Sequence, residues 1–133
     1  MTMQYNMLAG KIHRATVTDA NLHYEGSVTI DQDLMDAAKI IPYAQVQIYN
    51  ITNGNRFETY AIVGKRGSGE MVINGAAAHK ASAGDLIIVA CYVHVEAANA
   101  AKHKPALVYV DANNTIIEVK NNVETMNIAA AVR

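Results

Sequence analysis

The chain has 133 residues, 17% of them charged, with a formal net charge of -1, a pI of about 6.5 and a mean hydropathy of +0.04. A chain this long suits one domain that buries its own core, and its charge balance argues against a nucleic-acid binder. No apolar run approaches a bilayer span, the N-terminus lacks a secretory pattern, and the lone Cys91 has no internal partner, so a single cytoplasmic domain, 1–133, with no nucleic-acid or membrane partner is expected.

In chain order, Met7 to Val17 reads as a strand, with Ile12 and Val17 among its apolar residues. Ser27 to Asp31 reads as a second strand. Asp31 then offers an N-cap to a helix carrying Leu34, Met35, Ala37, Ala38 and Ile41, which Pro42 should end. From Ala44 to Ile51 the pattern alternates, Val46 and Ile48 against Gln45 and Gln47, and Asn53-Gly54 marks a hairpin turn into a strand from Phe57 to Val63. Met71 to Ile73 is a short strand. Ala76 to Ala81 suits a short helix with Gly84 as a stop. The unbroken apolar run from Asp85 to Val95 suits a strand buried on both faces. Leu107–Val110 and Ile116–Val119 flank a turn at Asp111–Asn114 and predict a last hairpin. Residues from about 120 to 133 carry little pattern and read as a frayed tail or a lid. Short strands with one or two short helices imply a mainly β fold, and a closed β-barrel would remove exposed edges.

Several segments carry reactive residues, each with a plainer reading beside it. Gly26-Ser27 is a turn-forming dipeptide, but it also places a hydroxyl next to an unhindered carbonyl. Attack by Ser27 on Gly26 would convert the amide to an ester; elimination and hydrolysis would then cut the chain and leave a pyruvoyl group at position 27. Such a cut needs a strained peptide and an oxyanion donor. Gly67-Ser68, in Gly64-Lys65-Arg66-Gly67-Ser68-Gly69, repeats the dipeptide in what reads as a flexible loop, without the glycine order of a P-loop. Lys11 and His13 share one strand face, with Ile12 opposite; they suit either a solvated face or carboxylate binding with proton transfer. After the hairpin, Arg56 suits a bidentate carboxylate contact, Thr59 an oxyanion and Tyr60 proton donation, although strand propensity alone accounts for Thr and Tyr. Asn74-Gly75-Ala76-Ala77 suits an anion nest or a plain cap. The five histidines show no metal-ligand spacing, and Cys91 lies in an apolar run that suits the core better than a nucleophile.

Taken together, Lys11-Ile12-His13-Arg14, Asp19-Ala20-Asn21-Leu22-His23-Tyr24-Glu25-Gly26-Ser27, Ile30-Asp31-Gln32-Asp33-Leu34, Asn53-Gly54 with Arg56, Thr59 and Tyr60, and Asn74 to His79 resemble the pyruvoyl-dependent aspartate 1-decarboxylases, from about Met7 to Val95. The resemblance implies a double-psi β-barrel and a homotetramer with active sites between subunits. It implies self-cleavage into chains 1–26 and 27–133, with Ser27 becoming the pyruvoyl group that forms a Schiff base with L-aspartate; no metal and no pyridoxal phosphate are implied. It assigns Gly26, Ser27 and Thr59 to processing. Tyr60 becomes the proton donor, and Lys11, Arg56, Thr59, Asn74, Gly75, Ala76 and Ala77 bind substrate, with His13 and Tyr24 as neighbours. The implied product is β-alanine for pantothenate and coenzyme A, and an acetyltransferase-like maturation factor serves some relatives. Two rivals stand beside this. One is a non-enzymatic β-barrel binding module with Ser27 unprocessed. The other is a serine hydrolase pairing Ser27 with His13 or His23, which lacks a nucleophile elbow.

Overall fold

Alternating β-branched segments make the chain mainly β in the computed structural model, which describes residues 3–123. The first half holds β1 (Gln4–Thr16), β2 (Asp19–Asn21), β3 (Ser27–Asp31), α1 (Gln32–Ala38), β4 (Gln45–Asn50), β5 (Arg56–Gly64) and β6 (Met71–Asn74). A 3₁₀ turn over Gly75–His79 then leads to β7 (Leu86–Glu96), α2 (Ala97–Ala100), β8 (Ala106–Val110) and β9 (Ile116–Lys120). The strands lie in the order β2-β6-β3-β5-β4-β7-β1-β8-β9. Parallel ladders join strands far apart in sequence, β2 with β6, β3 with β5 and β1 with β8.

The mainly β expectation holds, but the sheet is not closed. Its end strands are β2, only three residues long, and β9, which is mostly exposed. Among the described residues no ladder joins them.

The core follows from side-chain alternation. Ile12, Val89 and Ile48 form one register row across β1, β7 and β4, and all are fully buried. Burying each such side chain contributes about 1.5–3 kcal/mol. On β3, β5 and β6, Val28, Ala61 and Ile73 form the matching buried row. The neighbouring row, Lys11, Ala90, Gln47 and Glu58, therefore lies on the opposite face. α1 packs beside β1 so closely that a Cβ on Gly10 would collide with the Ala38 carbonyl.

Several expectations are corrected. Asp31 does cap α1, accepting from the Asp33 amide at 2.8 Å. The helix nonetheless stops at Lys39, which turns left-handed at φ 59°, before Ile41 and Pro42. Ile41 is 69% exposed and has no place in the helical stripe. β7 is buried only over its first half, because Tyr92, Val93 and His94 run past the β4 ladder, which ends at Ala90, and keep only β1 as a neighbour. The expected helix at 76–81 is the 3₁₀ turn Gly75–His79, which starts one residue earlier and ends two earlier. The Gly67-Ser68 loop is pinned: the buried Asp31 carboxylate accepts from the amides of Gly67 at 3.0 Å and Gly69 at 2.8 Å. Both hairpins form as expected. Lys120, placed in the tail by its sequence, ends β9, and the tail from 124 onward lies outside the described residues.

Candidate active site

Ser27 opens β3, 1% exposed, in register with Asn74 at the end of β6. The Asn74 side-chain amide, itself buried, donates to Ser27 Oγ and to Thr29 Oγ1, both at 3.0 Å. Ser27 Oγ in turn donates to the Glu25 carbonyl at 3.3 Å, so the hydroxyl reaches back across the Gly26 peptide. With its side chain committed to Ser27 and Thr29, Asn74 makes no cap bond to the 3₁₀ turn that carries Ala76 and Ala77.

Gly75 makes this approach feasible. It sits at φ +68°, and a Cβ there would lie 2.6 Å from both the nitrogen and the Cα of Gly26 and 2.9 Å from the Tyr24 carbonyl oxygen. The backbone after β6 thus presses directly on the Tyr24–Gly26 segment, which only glycine allows. A Cβ on Gly26 itself would meet nothing beyond its chain neighbours. The glycine that shapes the site is therefore the distant one. The Tyr24 side chain is 60% exposed, and only its backbone joins the cluster.

β5 lies on the other side of β3. Its parallel register pairs Val28 with Ala61. Continued backwards, that register sets Tyr60 beside Ser27 and Thr59 beside Gly26. Alternation puts Tyr60 on the face of Ser27 and Asn74, away from the core, whereas Thr59 pairs with the buried Val46. The Tyr60 ring packs near Tyr43, centroids 6.4 Å apart. Among the described residues, neither the Thr59 nor the Tyr60 hydroxyl bonds to the Gly26–Ser27 segment.

The cations lie farther off. Arg56 shares the outer face of β5 with Tyr60 but stands four residues, about 13 Å, along the strand. It pairs across the hairpin with Tyr49, its guanidinium carbon 4.4 Å from that ring's centroid. Lys11 sits in the row of Glu58, with β7 and β4 between them, about 14 Å away across the sheet. His13 sits two residues from Lys11 at half burial, its ring edge-on to Tyr109 at 5.4 Å and its buried Nδ1 without a hydrogen-bond partner among the described residues. Burial, followed by the charges of Lys11 and Arg14, holds its pKa below the usual imidazole value and favours the neutral ring.

One chain thus gathers Gly26, Ser27, Asn74 and Gly75 in contact, with Thr59 and Tyr60 beside them by register; Lys11, His13 and Arg56 stand apart. Cys91 is buried, as expected, and burial pushes its thiol pKa up, which disfavours the nucleophilic thiolate. Sequence reasoning missed Thr29, which shares the Asn74 amide, Tyr49, whose ring faces the Arg56 guanidinium, and Tyr92, whose hydroxyl meets that of Tyr49 at 2.9 Å. Thr29 follows Ser27 by the two-residue strand period. Tyr49 mirrors Arg56 across the Asn53-Gly54 turn. Nothing in the local sequence connects Tyr92 to either.

Comparison with known proteins adds the following. The family model "Aspartate decarboxylase" matches residues 3–117, beyond the Met7–Val95 span on which the resemblance first rested. The aspartate 1-decarboxylase of Syntrophus aciditrophicus is 58% identical over 114 residues, covering 86% of this chain and 98% of its own. That of Syntrophobacter fumaroxidans is 57% identical over 112 residues, 84% of this chain and 90% of its own. The Psychromonas ingrahamii protein of the same name is 52% identical over 121 residues, 91% of this chain and 96% of its own.

Proposed function

We propose a mechanism from one premise: this chain belongs to the aspartate decarboxylase family. It is an enzyme that removes the α-carboxylate of aspartate as carbon dioxide and leaves β-alanine, a building block for pantothenate. That membership decides against the non-enzymatic binding module. The observation that carries the mechanism is the buried cluster of Gly26, Ser27, Asn74 and Gly75.

The cluster suits self-processing. Ser27 Oγ adds to the Gly26 carbonyl carbon, the Ser27 nitrogen departs, and an ester joins the two residues. Loss of the Ser27 α-hydrogen then expels the Gly26 carboxylate and leaves dehydroalanine. Water displaces its nitrogen as ammonia, and chain 27–133 begins with a pyruvoyl group. Thr59, beside Gly26 when the β3–β5 register is continued, would donate to the carbonyl oxygen as charge develops there. Asn74 orients the attacking hydroxyl.

The same cluster suits the change at position 27, since the Asn74 amide holds the Oγ that departs with the Gly26 carboxylate, in a setting nearly closed to solvent. A pyruvoyl group at position 27 would supply an electrophilic ketone for the substrate amine and an electron sink for the pair released with carbon dioxide. Tyr60, beside residue 27, returns a proton to the substrate α-carbon. The backbone of Ala76 and Ala77, in the 3₁₀ turn that follows Asn74, would contact the substrate. Arg56 and Lys11 neutralise the substrate carboxylates. Aspartate is far shorter than the spans separating these cations from residue 27 within one chain. Cations delivered by a neighbouring copy would close these spans, in keeping with the active sites between subunits of the homotetramer that the family resemblance implies.

Intact-mass measurement of the purified protein tests this reading, with and without an acetyltransferase-like helper. The expected result is chains 1–26 and 27–133, the second blocked by a ketone, together with β-alanine formation from aspartate. Steady aspartate turnover by a protein that is wholly uncleaved would overturn it.

A further inference from the structure

On the outer face of the sheet, three side chains from three strands make a relay. Arg56 on β5 lies over the Tyr49 ring on β4 at 4.4 Å, and the Tyr49 hydroxyl meets the Tyr92 hydroxyl on β7 at 2.9 Å. Tyr92 enters this face from the half of β7 that runs past the β4 ladder while still paired with β1, and it is 39% exposed. Among the described residues Arg56 forms no salt bridge. The carboxylate on its own face, Glu58, instead accepts from the side-chain amides of Gln45 at 2.7 Å and Gln47 at 2.8 Å. The guanidinium fork is thus held by a ring on one side and keeps its donors for an incoming carboxylate.

We propose that Tyr92 is a positioning residue for substrate binding: its hydroxyl locks the plane of the Tyr49 ring, and that ring is the platform that orients Arg56. The inference rests on the assignment of Arg56 to a substrate carboxylate. A phenol free to swing would leave the guanidinium to be ordered on binding, and that ordering lowers affinity. The hydroxyl pair removes the motion in advance. The bond to Tyr49, followed by burial, pushes the Tyr92 pKa up to about 12 against the opposing charge of Arg56, so the proton that makes the bond stays in place at neutral pH. Strand propensity explains a tyrosine at either position, but it does not explain why two hydroxyls meet beside a cation.

Kinetics per pyruvoyl group, with the cleaved fraction and thermal midpoint measured in parallel, test the proposal. Tyr92→Phe removes only the hydroxyl and should raise KM for aspartate about 3- to 10-fold while kcat stays within about twofold and cleavage is unchanged. Tyr49→Phe cuts the same bond from the other side and should match it, which keeps the test intact if one variant folds poorly. In an Arg56→Lys background, where no planar fork remains to be oriented, Tyr92→Phe should add nothing. A wild-type KM in Tyr92→Phe, or an equal rise in both backgrounds, would overturn the proposal while leaving Arg56 in its role. Arg56→Lys with an unchanged KM would remove that role, and the proposal with it.

Discussion

The two ends of the proposed site are built differently. Around Ser27 the contacts are buried and largely made by backbone: a glycine pressed on Gly26, an asparagine amide shared between two hydroxyls, a carbonyl receiving the Ser27 proton. Around Arg56 they are exposed and made by side chains: a stacked guanidinium, two phenols, a carboxylate held by two amides. Breaking a peptide bond needs atoms fixed to fractions of an ångström, which close packing supplies. Capturing a diffusing dicarboxylate needs charge that stays open to solvent. The contrast implies that substitutions at the first end abolish maturation, whereas those at the second leave maturation intact and weaken binding.

The largest effect should come from Ser27→Ala. It leaves no hydroxyl to attack, so the protein should remain a single chain with no measurable β-alanine formation. An active Ser27→Ala protein would dissolve the contrast at once. Gly75→Ala comes next. Its Cβ would collide with the Gly26 backbone, and a left-handed alanine adds about 1 kcal/mol of strain. Cleavage followed on a denaturing gel should slow by about 100-fold or more while the β fold persists by circular dichroism. Normal cleavage in this variant would show that the packing around Gly26 is incidental.

Tyr60→Phe lies at the boundary between the two ends. It should cleave normally and lose about 100-fold in kcat, since only the later proton transfer is affected. Arg56→Ala should also cleave normally, with KM for aspartate raised about 10- to 100-fold in steady-state assays and a smaller change in kcat. A cleavage defect in Arg56→Ala would couple the two ends and break the comparison. The smallest effect belongs to His13. Because burial lowers its pKa, the unfolded chain binds the proton more readily, so stability should fall as pH drops through 6.5 and level off below the folded pKa. Thermal midpoints of His13→Gln between pH 7.5 and pH 5 should show a shallower decline than those of the parent protein.

Much of this was legible in the sequence because it is local. The two-residue period located β3, β4 and β5, and Asn53-Gly54 fixed the hairpin that brings Arg56 opposite Tyr49. Asp31 announced the start of α1. The end of α1 was not legible, because the left-handed turn at Lys39 comes before Pro42 acts. The exposed half of β7 was hidden by its composition: Tyr92, Val93 and Val95 look like core, and only the end of the β4 ladder at Ala90 shows that they run past it.

By itself, then, the sequence determined the strand-rich class, the Gly26-Ser27 dipeptide proposed as the cleavage point and the residue types that surround it, since each follows from neighbours a few positions apart. The tertiary structure decided which of those residues meet. Gly75 reaches Gly26 only because β3 and β6 pair antiparallel; Tyr60 stands beside Ser27 only because β3 and β5 pair in parallel; Arg56 rests on a phenol locked from a third strand. The physical reason is register. It is a property of two strands at once, set by how their apolar rows share one core, and no single segment carries it.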